Sequence, residues 1–278
     1  MYNQRMKRLY FLGPKGTYSE LAALKAKKII NEYELTTVST IAKIIETLNS
    51  EENSIGILPI ENLIDGVVRQ TIDNIYATNV KIQAQFDVEI RHCLISKNSD
   101  KSKIRHIISH PQALAQCQKY ILENFDENID ISCVSSTAQA GINLKDKDDT
   151  YSAITSNQLA NQLNMNILDE NIGDNKDNKT RFVIVSKKVL QLGKKDRTSI
   201  VFNTKNEPGA LLKILEIINT HNINLVYLES RPSKDVFGEY NFFADIDKGI
   251  DDVKDALDEI AWKCNFYKLL GSYPTLNL

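Results

Sequence analysis

Two neighbouring side chains, Thr180 and Arg181, have the chemistry to bind and transform a small anion. They stand in the run Asn-Lys-Thr-Arg-Phe at residues 178–182, where the apolar stretch 182–185 predicts the start of a strand. Arginine is always protonated and its planar guanidinium matches a carboxylate, while threonine supplies a neutral proton donor. Together they are expected to bind an anion and to act on its oxygen.

Further hydroxyl and amide side chains stand where predicted strands give way to helices. They are Thr17, Asn62, Ser109, Gln116, Ser136 and Thr137. Each alone is explained by ordinary capping of a helix or turn. Because they fall at the strand ends of one α/β unit, they are expected to form a ring of donors around a single site. Such a ring suits a substrate with two carboxylates and a hydroxyl.

Neighbouring residues in the sequence allow more specific predictions for individual side chains. Thr17 and Glu20 predict a capping box, and Ser109 is placed at the N-cap of a helix that starts at Pro111 and runs to about residue 124. Ser39 is expected to cap a helix over 40–48. Glu61 is interpreted as the ion-pair partner of Arg69.

The sequence lacks the residues that several classes of enzyme chemistry require. There is no nucleophile with an adjacent base, no P-loop lysine and no cluster with metal-ligand spacing. The cysteines Cys93, Cys117, Cys133 and Cys264 show no CxxC spacing and are interpreted as reduced core thiols. The expected chemistry is therefore proton transfer and electrostatic stabilisation, with no cofactor and no metal.

Composition indicates the kind of partner. The 278 residues are 42% hydrophobic, enough for a sizeable core, and the length favours two domains. The 34 Lys and Arg residues are matched by 36 Asp and Glu residues, so the composition does not indicate the strongly basic surface that binds nucleic acid. A small anionic metabolite is therefore the more plausible ligand. No signal peptide or membrane span is predicted, so a cytoplasmic location is expected.

The chain divides into two predicted regions. Over residues 9–186, short apolar runs alternate with amphipathic segments, which predicts βα units and a mostly parallel sheet with strands at 9–12, 55–58, 104–109, 131–134, 152–154 and 182–185. Strict alternation over 81–91 predicts a long half-buried strand that bridges two lobes and leaves a cleft. After a charged linker, the order βαββαβ predicts a ferredoxin-like domain.

The motifs, in this order, resemble those of monofunctional bacterial prephenate dehydratases over essentially the whole length. They are GPKGTYSE at 13–20, PIEN and DGVV within 59–68, SHPQALAQC at 109–117, STAQA at 136–140, NKTRF at 178–182, PGALLKIL at 208–215 and ESRP at 229–232. The resemblance implies an α/β catalytic domain of two lobes, similar to type II periplasmic-binding-protein folds. A regulatory ACT domain that senses phenylalanine would follow it.

The expected boundaries follow from this resemblance. The catalytic domain is expected at 1–187, with lobe one at about 1–83 and 165–187 and lobe two at about 84–164. A linker over 188–197 and the ACT domain over 198–278 are expected next.

The resemblance also implies an activity and a site. The reaction would convert prephenate to phenylpyruvate, water and carbon dioxide, with Thr180 as the principal catalytic residue and Arg181 binding a substrate carboxylate. The implied substrate-binding residues are Asn62, Ser109, Gln116, Thr17, Ser136, Thr137 and Phe182. The implied phenylalanine-binding residues are Pro208, Gly209, Ala210, Leu211, Glu229, Ser230, Arg231 and Pro232. A homodimer or homotetramer through both domains is also implied. Leu63 departs from the family, which usually has Ser there.

Alternative functions remain open from the sequence. An arogenate dehydratase would use the same site for a substrate with an amino group in place of the keto group. A catalytically inactive amino-acid-binding regulator is disfavoured by the intact Thr180 and Arg181. A transport solute-binding protein would need a secretion signal. Fusion to chorismate mutase is not expected, because the first predicted strand begins near residue 9.

Overall fold

A computed structural model describes residues 7–233 and 239–278, which form three separate sheets. The first region contains, in chain order, β1 (Arg8–Leu12), α1 (Tyr18–Lys27), β2 (Glu34–Val38), α2 (Ile41–Ser50), β3 (Ile55–Asn62), β4 (Gly66–Val67), α3 (Arg69–Tyr76), β5 (Lys81–Glu89), β6 (His92–Ser96), β7 (His106–Ser109), α4 (Pro111–Gln116), α5 (Gln118–Asn124), β8 (Asp130–Cys133), α6 (Thr137–Asn143), β9 (Tyr151–Ser156), α7 (Asn157–Leu163), β10 (Asn166–Asp169) and β11 (Lys179–Ser186). Each strand predicted in this region is present. Among the described helices, none has the length and apolar character needed to cross a bilayer.

Two mixed sheets replace the mostly parallel sheet that the sequence predicted. The first has the order β2-β1-β3-β11-β5, with β4 paired to β3, and the second has the order β10-β6-β9-β7-β8. The pairs of β1 with β2 and β3, and of β7 with β8 and β9, are parallel. The strands on either side of each crossing, β5, β6, β10 and β11, pair antiparallel. The two sheets form the two expected lobes.

The chain crosses between these lobes later than the sequence indicated. Residues 84–89 pair within the first sheet as part of β5, and residues 166–169 pair within the second sheet as β10. The crossings therefore fall at residues 90–91 and 170–178. The expected lobe boundaries at 83/84 and 164/165 need this correction, because an alternating pattern marks a strand without marking the sheet that it joins.

Residues 82–86 of strand β5 are buried on both faces, although the alternation predicted a half-buried strand. Gln83 and Gln85 are both buried. Gln85 donates from Nε2 to Thr275 Oγ1 at 2.9 Å, and Gln83 Oε1 accepts from the Leu190 amide at 3.0 Å. Residues near the C-terminus and after β11 thus cover the polar face, and hydrogen bonds make that burial tolerable.

Some helix starts also differ from the prediction. The N-cap of α4 is His110, whose side chain accepts from the Gln112 amide, while Ser109 still belongs to β7. The predicted helix over 111–124 is interrupted at Cys117, which separates α4 from α5. Thr40, rather than Ser39, caps α2. These shifts of one residue are typical where several polar residues precede a helix.

The predicted capping box at α1 forms only in part. Thr17 Oγ1 accepts from the Glu20 amide at 3.3 Å, but the Glu20 carboxylate accepts from the amide of Gly16 at 2.7 Å, not from that of Thr17. The cysteines are free thiols as expected, and Cys93 and Cys117 are buried. The interpretation as core thiols is wrong for Cys133, which is exposed.

The second region has the predicted βαββαβ order. Its elements are β12 (Arg197–Asn203), α8 (Ala210–Thr220), β13 (Leu225–Pro232), β14 (Tyr240–Ile246), α9 (Ile250–Lys263) and β15 (Phe266–Tyr273), and its sheet has the order β13-β14-β12-β15. One sheet face, with Phe202 and Ile246, packs against α8 and α9. The other face, with Phe243 and Tyr273, shares a core with Ile75 of α3.

Candidate active site between the two lobes

A cleft of about 280 Å³ lies between the first and second sheets. Side chains from both lobes line it, namely Tyr18, Ser19, Pro59, Asn62, Val68, Ile90, His92, His110, Gln112, Ala113, Gln116, Ser135, Ser136, Thr137, Thr180 and Phe182. Of the residues expected at the substrate, Asn62, Gln116, Ser136, Thr137, Thr180 and Phe182 are among them. The structure therefore brings these six together from four separate motifs.

Thr180 lies at the start of β11 beside Asn62 at the end of β3, its register partner. Its hydroxyl oxygen accepts a hydrogen bond from Asn62 Nδ2 at 2.9 Å. Both residues are buried, with 9% and 7% of their surface exposed. Because the oxygen is engaged as an acceptor, the hydroxyl proton remains to be donated to another group. Thr180 lines the cleft, so this proton lies within reach of a ligand bound there.

The hydrogen-bonding groups of the Asn62 side-chain amide are all occupied by other groups of the protein. Nδ2 also donates to Asn178 Oδ1 at 3.0 Å and to the Lys179 carbonyl at 3.1 Å. Oδ1 accepts from the amides of Ile64 and Asp65 at 3.0 and 3.1 Å. These contacts use both hydrogens and both lone pairs of the side chain. Asn62 is thus arranged to fix the turn after β3 and to orient Thr180, whereas the sequence indicated direct substrate binding.

Gln116 is the centre of a second buried network. Its Oε1 accepts from Asn178 Nδ2 and from His92 Nε2, each at 3.0 Å, and its Nε2 donates to Asp65 Oδ2 at 2.6 Å. An ionised carboxylate only accepts, so Asp65 fixes which end of the Gln116 amide faces His92. One N–H of Gln116 remains for a ligand.

His92 contributes a neutral imidazole to this network. Burial lowers its pKa, while the hydrogen bond with Gln116 opposes that shift. Since Gln116 Oε1 is an acceptor, the proton of the neutral ring lies on Nε2. Tyr18 packs edge-on against this ring at 5.8 Å between centroids, and its hydroxyl donates to the Arg91 carbonyl at 2.7 Å. The pair therefore forms an uncharged wall of the cleft.

The donors available to an anion are N–H and O–H groups. None of the residues lining the cleft is Lys or Arg in the part of the chain that the structure describes. Helices α1, α4 and α6 all begin at the cleft, and the first amides of a helix have no partner within it. Ser136 Oγ accepts from the Gln139 amide at 3.0 Å, so its own proton also remains available. Donors of this kind are suited to carboxylates even without a fixed cation.

Thr17 and Ser109 do not line the cleft. Thr17 caps α1 and donates from Oγ1 to the Pro14 carbonyl at 3.0 Å. Ser109 is fully buried and donates from Oγ to the Ile154 carbonyl at 2.7 Å. Both hydroxyls hold backbone segments that carry neighbouring donors. Their expected contact with substrate thus remains a prediction without support from this geometry.

Arg181 faces away from Thr180, contrary to the expectation that both bind one anion. Successive side chains of a strand point to opposite faces, so Thr180 and Phe182 reach the cleft while Arg181 does not. Its guanidinium bonds to Glu61 Oε2 at 3.0 Å and lies 3.3 Å from Asp87 Oδ1. The pairing of Glu61 with Arg69 is therefore wrong.

The two expected effector segments lie apart within one chain. Gly209, at the start of α8, has φ +79°, a left-handed conformation that favours glycine. The segment 229–232 belongs to β13 and lines a cavity of about 430 Å³ beside α3. Residues 208–211 do not line that cavity among the described residues.

Several residues in or beside the cleft were not predicted as site residues from the sequence. His92 and Tyr18 are in the cleft, and Asn178 and Asp65 hold Gln116 and Asn62 in place. Asn178 and Asp65 lie inside the motifs NKTRF and DGVV, and this position was the sequence feature that could have pointed to a role in the site. His92 had none, because strand β6 was not predicted.

Comparisons with known proteins identify the family of this chain. The family model described as "Prephenate dehydratase" matches residues 9–189, and "ACT domain" matches residues 198–261. The chain is 41% identical over 270 residues to a prephenate dehydratase from Methanocaldococcus jannaschii, covering 95% of this chain and 97% of the relative.

Solved structures share the whole architecture. Prephenate dehydratase from Arthrobacter aurescens in complex with L-Phe is similar at a TM-score of 0.86 and 30% identity, over 96% of this chain and 90% of that one. GqqA, described as a novel type of quorum quenching acylase, is similar at 0.85 and 27%, over 96% and 98%. The family model and the relative at 41% identity decide the assignment. The chain belongs to the prephenate dehydratase family and carries an ACT domain after its catalytic region.

Proposed function

We propose that this enzyme converts prephenate to phenylpyruvate, water and carbon dioxide, with Thr180 as the donor to the departing hydroxyl. The observation that carries this proposal is the hydrogen bond from Asn62 to Thr180 Oγ1. It leaves the Thr180 proton directed at a ligand in a cleft lined by N–H and O–H donors. Membership of the family supplies the substrate.

The chemistry needs little more than this arrangement. As the bond from the ring to its carboxyl group breaks, its electrons enter the ring and expel the hydroxyl as hydroxide, which takes up a proton to become water. Formation of an aromatic ring makes the step strongly favourable. Threonine is a weak acid, so a hydrogen bond to the leaving oxygen is expected, worth roughly 10²- to 10⁴-fold in rate. Orientation and fixed donors supply the rest.

The absence of a lysine or arginine in the described lining of the cleft suits decarboxylation. Loss of carbon dioxide removes the negative charge of the ring carboxylate. A fixed cation beside that group would stabilise the substrate more than the transition state. Val68, Ile90, Ala113 and Phe182 supply apolar surface within the same lining. The carboxylate of the pyruvyl side chain is expected at the helix starts.

The chemistry of an acylase fits the cleft less well. Cleavage of an amide needs a nucleophile with a base within hydrogen-bond reach. The side chain bonded to Thr180 Oγ1 is the Asn62 amide, which is not a base. The geometry thus favours dehydration over acyl transfer.

Turnover is expected to need no metal ion. Among residues 7–233 and 239–278, no group of three or more His, Cys, Asp or Glu side chains is placed to hold one. Purified protein treated with EDTA should therefore form phenylpyruvate from prephenate at the untreated rate. Activity that EDTA abolishes and a divalent ion restores would contradict this proposal.

L-phenylalanine is the proposed inhibitor, and α3 provides a route from the ACT domain to the cleft. Arg231 bonds to Asp73 of α3 at 2.6 Å and to Glu229 at 2.7 Å. Lys268 donates to carbonyls at the C-terminal end of α3, including that of Tyr76. The other end of α3 follows Val68, a cleft residue. The L-Phe complex of the Arthrobacter enzyme supports this assignment.

We also propose the domain boundaries, assembly and location given by the sequence. The division into 1–187, 188–197 and 198–278 agrees with the extents of the two family models. An assembly of two or four chains is supported by β13, an end strand of its sheet with Val226 and Leu228 exposed. A cytoplasmic location is supported by the free thiols, including exposed Cys133.

A further inference from the structure

We propose that Asp65 is a positioning residue that joins the two lobes across the mouth of the cleft and sets the Gln116 amide for substrate. This inference rests on the proposed function. Asp65 lies in the turn between β3 and β4 of the first lobe, and α4 belongs to the second. Its Oδ2 accepts hydrogen bonds from Gln112 Nε2 and, at 2.6 Å, from Gln116 Nε2.

The position of both partners on α4 makes this contact a bridge between lobes. Gln112 and Gln116 are four residues apart and therefore share one face of the helix. One carboxylate oxygen binds both amides, so the first lobe holds α4 at two points. Hydrogen bonds to a charged acceptor are roughly twice as strong as neutral ones. The turn itself is fixed, because Asn62 Oδ1 accepts from the Asp65 amide.

Asp65 acts on substrate through Gln116. Gln116 is 8% exposed, and its Oε1 is held by His92 and Asn178. The bond to Asp65 completes this arrangement and directs the remaining N–H at the cleft. Without Asp65, one N–H of the buried Gln116 amide loses its hydrogen-bond acceptor, and the Gln116 side chain is free to rotate. Asp65 and Gln112 are both exposed, so the bridge is able to open for substrate entry without disturbing a core.

The charge of Asp65 is compatible with a bridge and not with substrate binding. A dianionic substrate gains nothing from a carboxylate at the mouth of its site. Among the described residues, no Lys or Arg forms an ion pair with Asp65, and its side chain instead accepts hydrogen bonds from the two amides. The carboxylate therefore contacts protein groups and not the substrate, as a positioning role requires.

A double-mutant cycle with prephenate tests this inference. Asp65→Ala is expected to lower kcat/KM about tenfold or more, because a small displacement of a positioning group is costly. In a Gln116→Ala background, the same change should lower kcat/KM much less, because only the bond from Gln112 is then left to lose. Ile64→Ala, in the same turn, removes an exposed side chain without touching the carboxylate and should match the wild type. Asp65→Glu should restore part of the loss.

Amide hydrogen exchange gives a readout that does not depend on turnover. Without substrate, residues 111–116 should exchange faster in Asp65→Ala than in the wild type and in Ile64→Ala. Additive losses in the cycle, or unchanged exchange together with kcat/KM within twofold of the wild type, would overturn the role of Asp65. A wild-type protein that does not turn over prephenate would instead refute the proposed function, while the exchange result would still decide whether the bridge exists.

Discussion

Replacement of Thr180 by valine is expected to lower kcat for prephenate by about 10²-fold or more with only a modest change in KM. Valine keeps the β-branched shape that suits a strand, and Thr180 is nearly buried, so packing should be retained. The variant loses the proton that the bond from Asn62 leaves available. That proton matters in the transition state, when charge develops on the leaving oxygen, and much less when substrate binds.

Thr180→Ser provides the matched control, because it keeps the hydroxyl and removes only a methyl group. Its kcat should lie much closer to that of the wild type than to that of the valine variant. Steady-state kinetics on the three purified proteins make the comparison, with thermal unfolding to verify that all are folded. Near wild-type kcat for Thr180→Val would show that the donor is another group.

Substitution of Gly209 by valine is expected to abolish inhibition by phenylalanine. The left-handed φ of +79° disfavours a β-branched residue. A Cβ at this position meets no protein atom within 4 Å, so the new side chain extends into the space through which an amino acid would reach the backbone. Coupling between effector and substrate sites is typically about 1–3 kcal/mol, or roughly 5- to 150-fold in affinity, and its loss is readily measured.

Gly209→Asn separates the two causes of that loss. Asparagine tolerates the left-handed conformation but still adds a side chain. Loss of inhibition in both variants would indicate obstruction of the ligand, and loss in Val alone would indicate the backbone. Wild-type inhibition in both would contradict effector binding at residues 208–211. The intact chain is the right background, because Phe243 and Tyr273 share a core with Ile75 of the catalytic region.

Helix caps and the order of helices and strands could be predicted from the sequence where neighbouring residues determine them. Thr17 caps α1, and the order of elements after Arg197 follows directly from short apolar and helical patterns. The opposite directions of Thr180 and Arg181 were also within reach, since a strand has a period of two. The chemistry of a hydroxyl beside a guanidinium indicated one shared role, and the alternation of side chains along the strand was the better guide. The Arg181 guanidinium meets Glu61 and Asp87 on the far face.

The rest of the site depends on contacts that no local pattern contains. Gln116 is joined to His92, Asn178 and Asp65 by bonds that span between 24 and 62 positions of sequence. The burial of Gln85 in β5 likewise depends on residues near the C-terminus, through its bond to Thr275. A polar residue in a strand is normally read as solvent-facing, and only the assembled domains show what covers it.

The ratio of kcat/KM for prephenate to that for arogenate, measured on the purified full chain, is the most direct test of prephenate dehydratase activity. The two substrates differ where the side chain carries a keto or an amino group. We expect formation of phenylpyruvate with a ratio well above one, because the family to which the chain belongs acts on prephenate. A ratio below one would identify an arogenate dehydratase, and no turnover of either substrate would contradict the catalytic role assigned to this cleft.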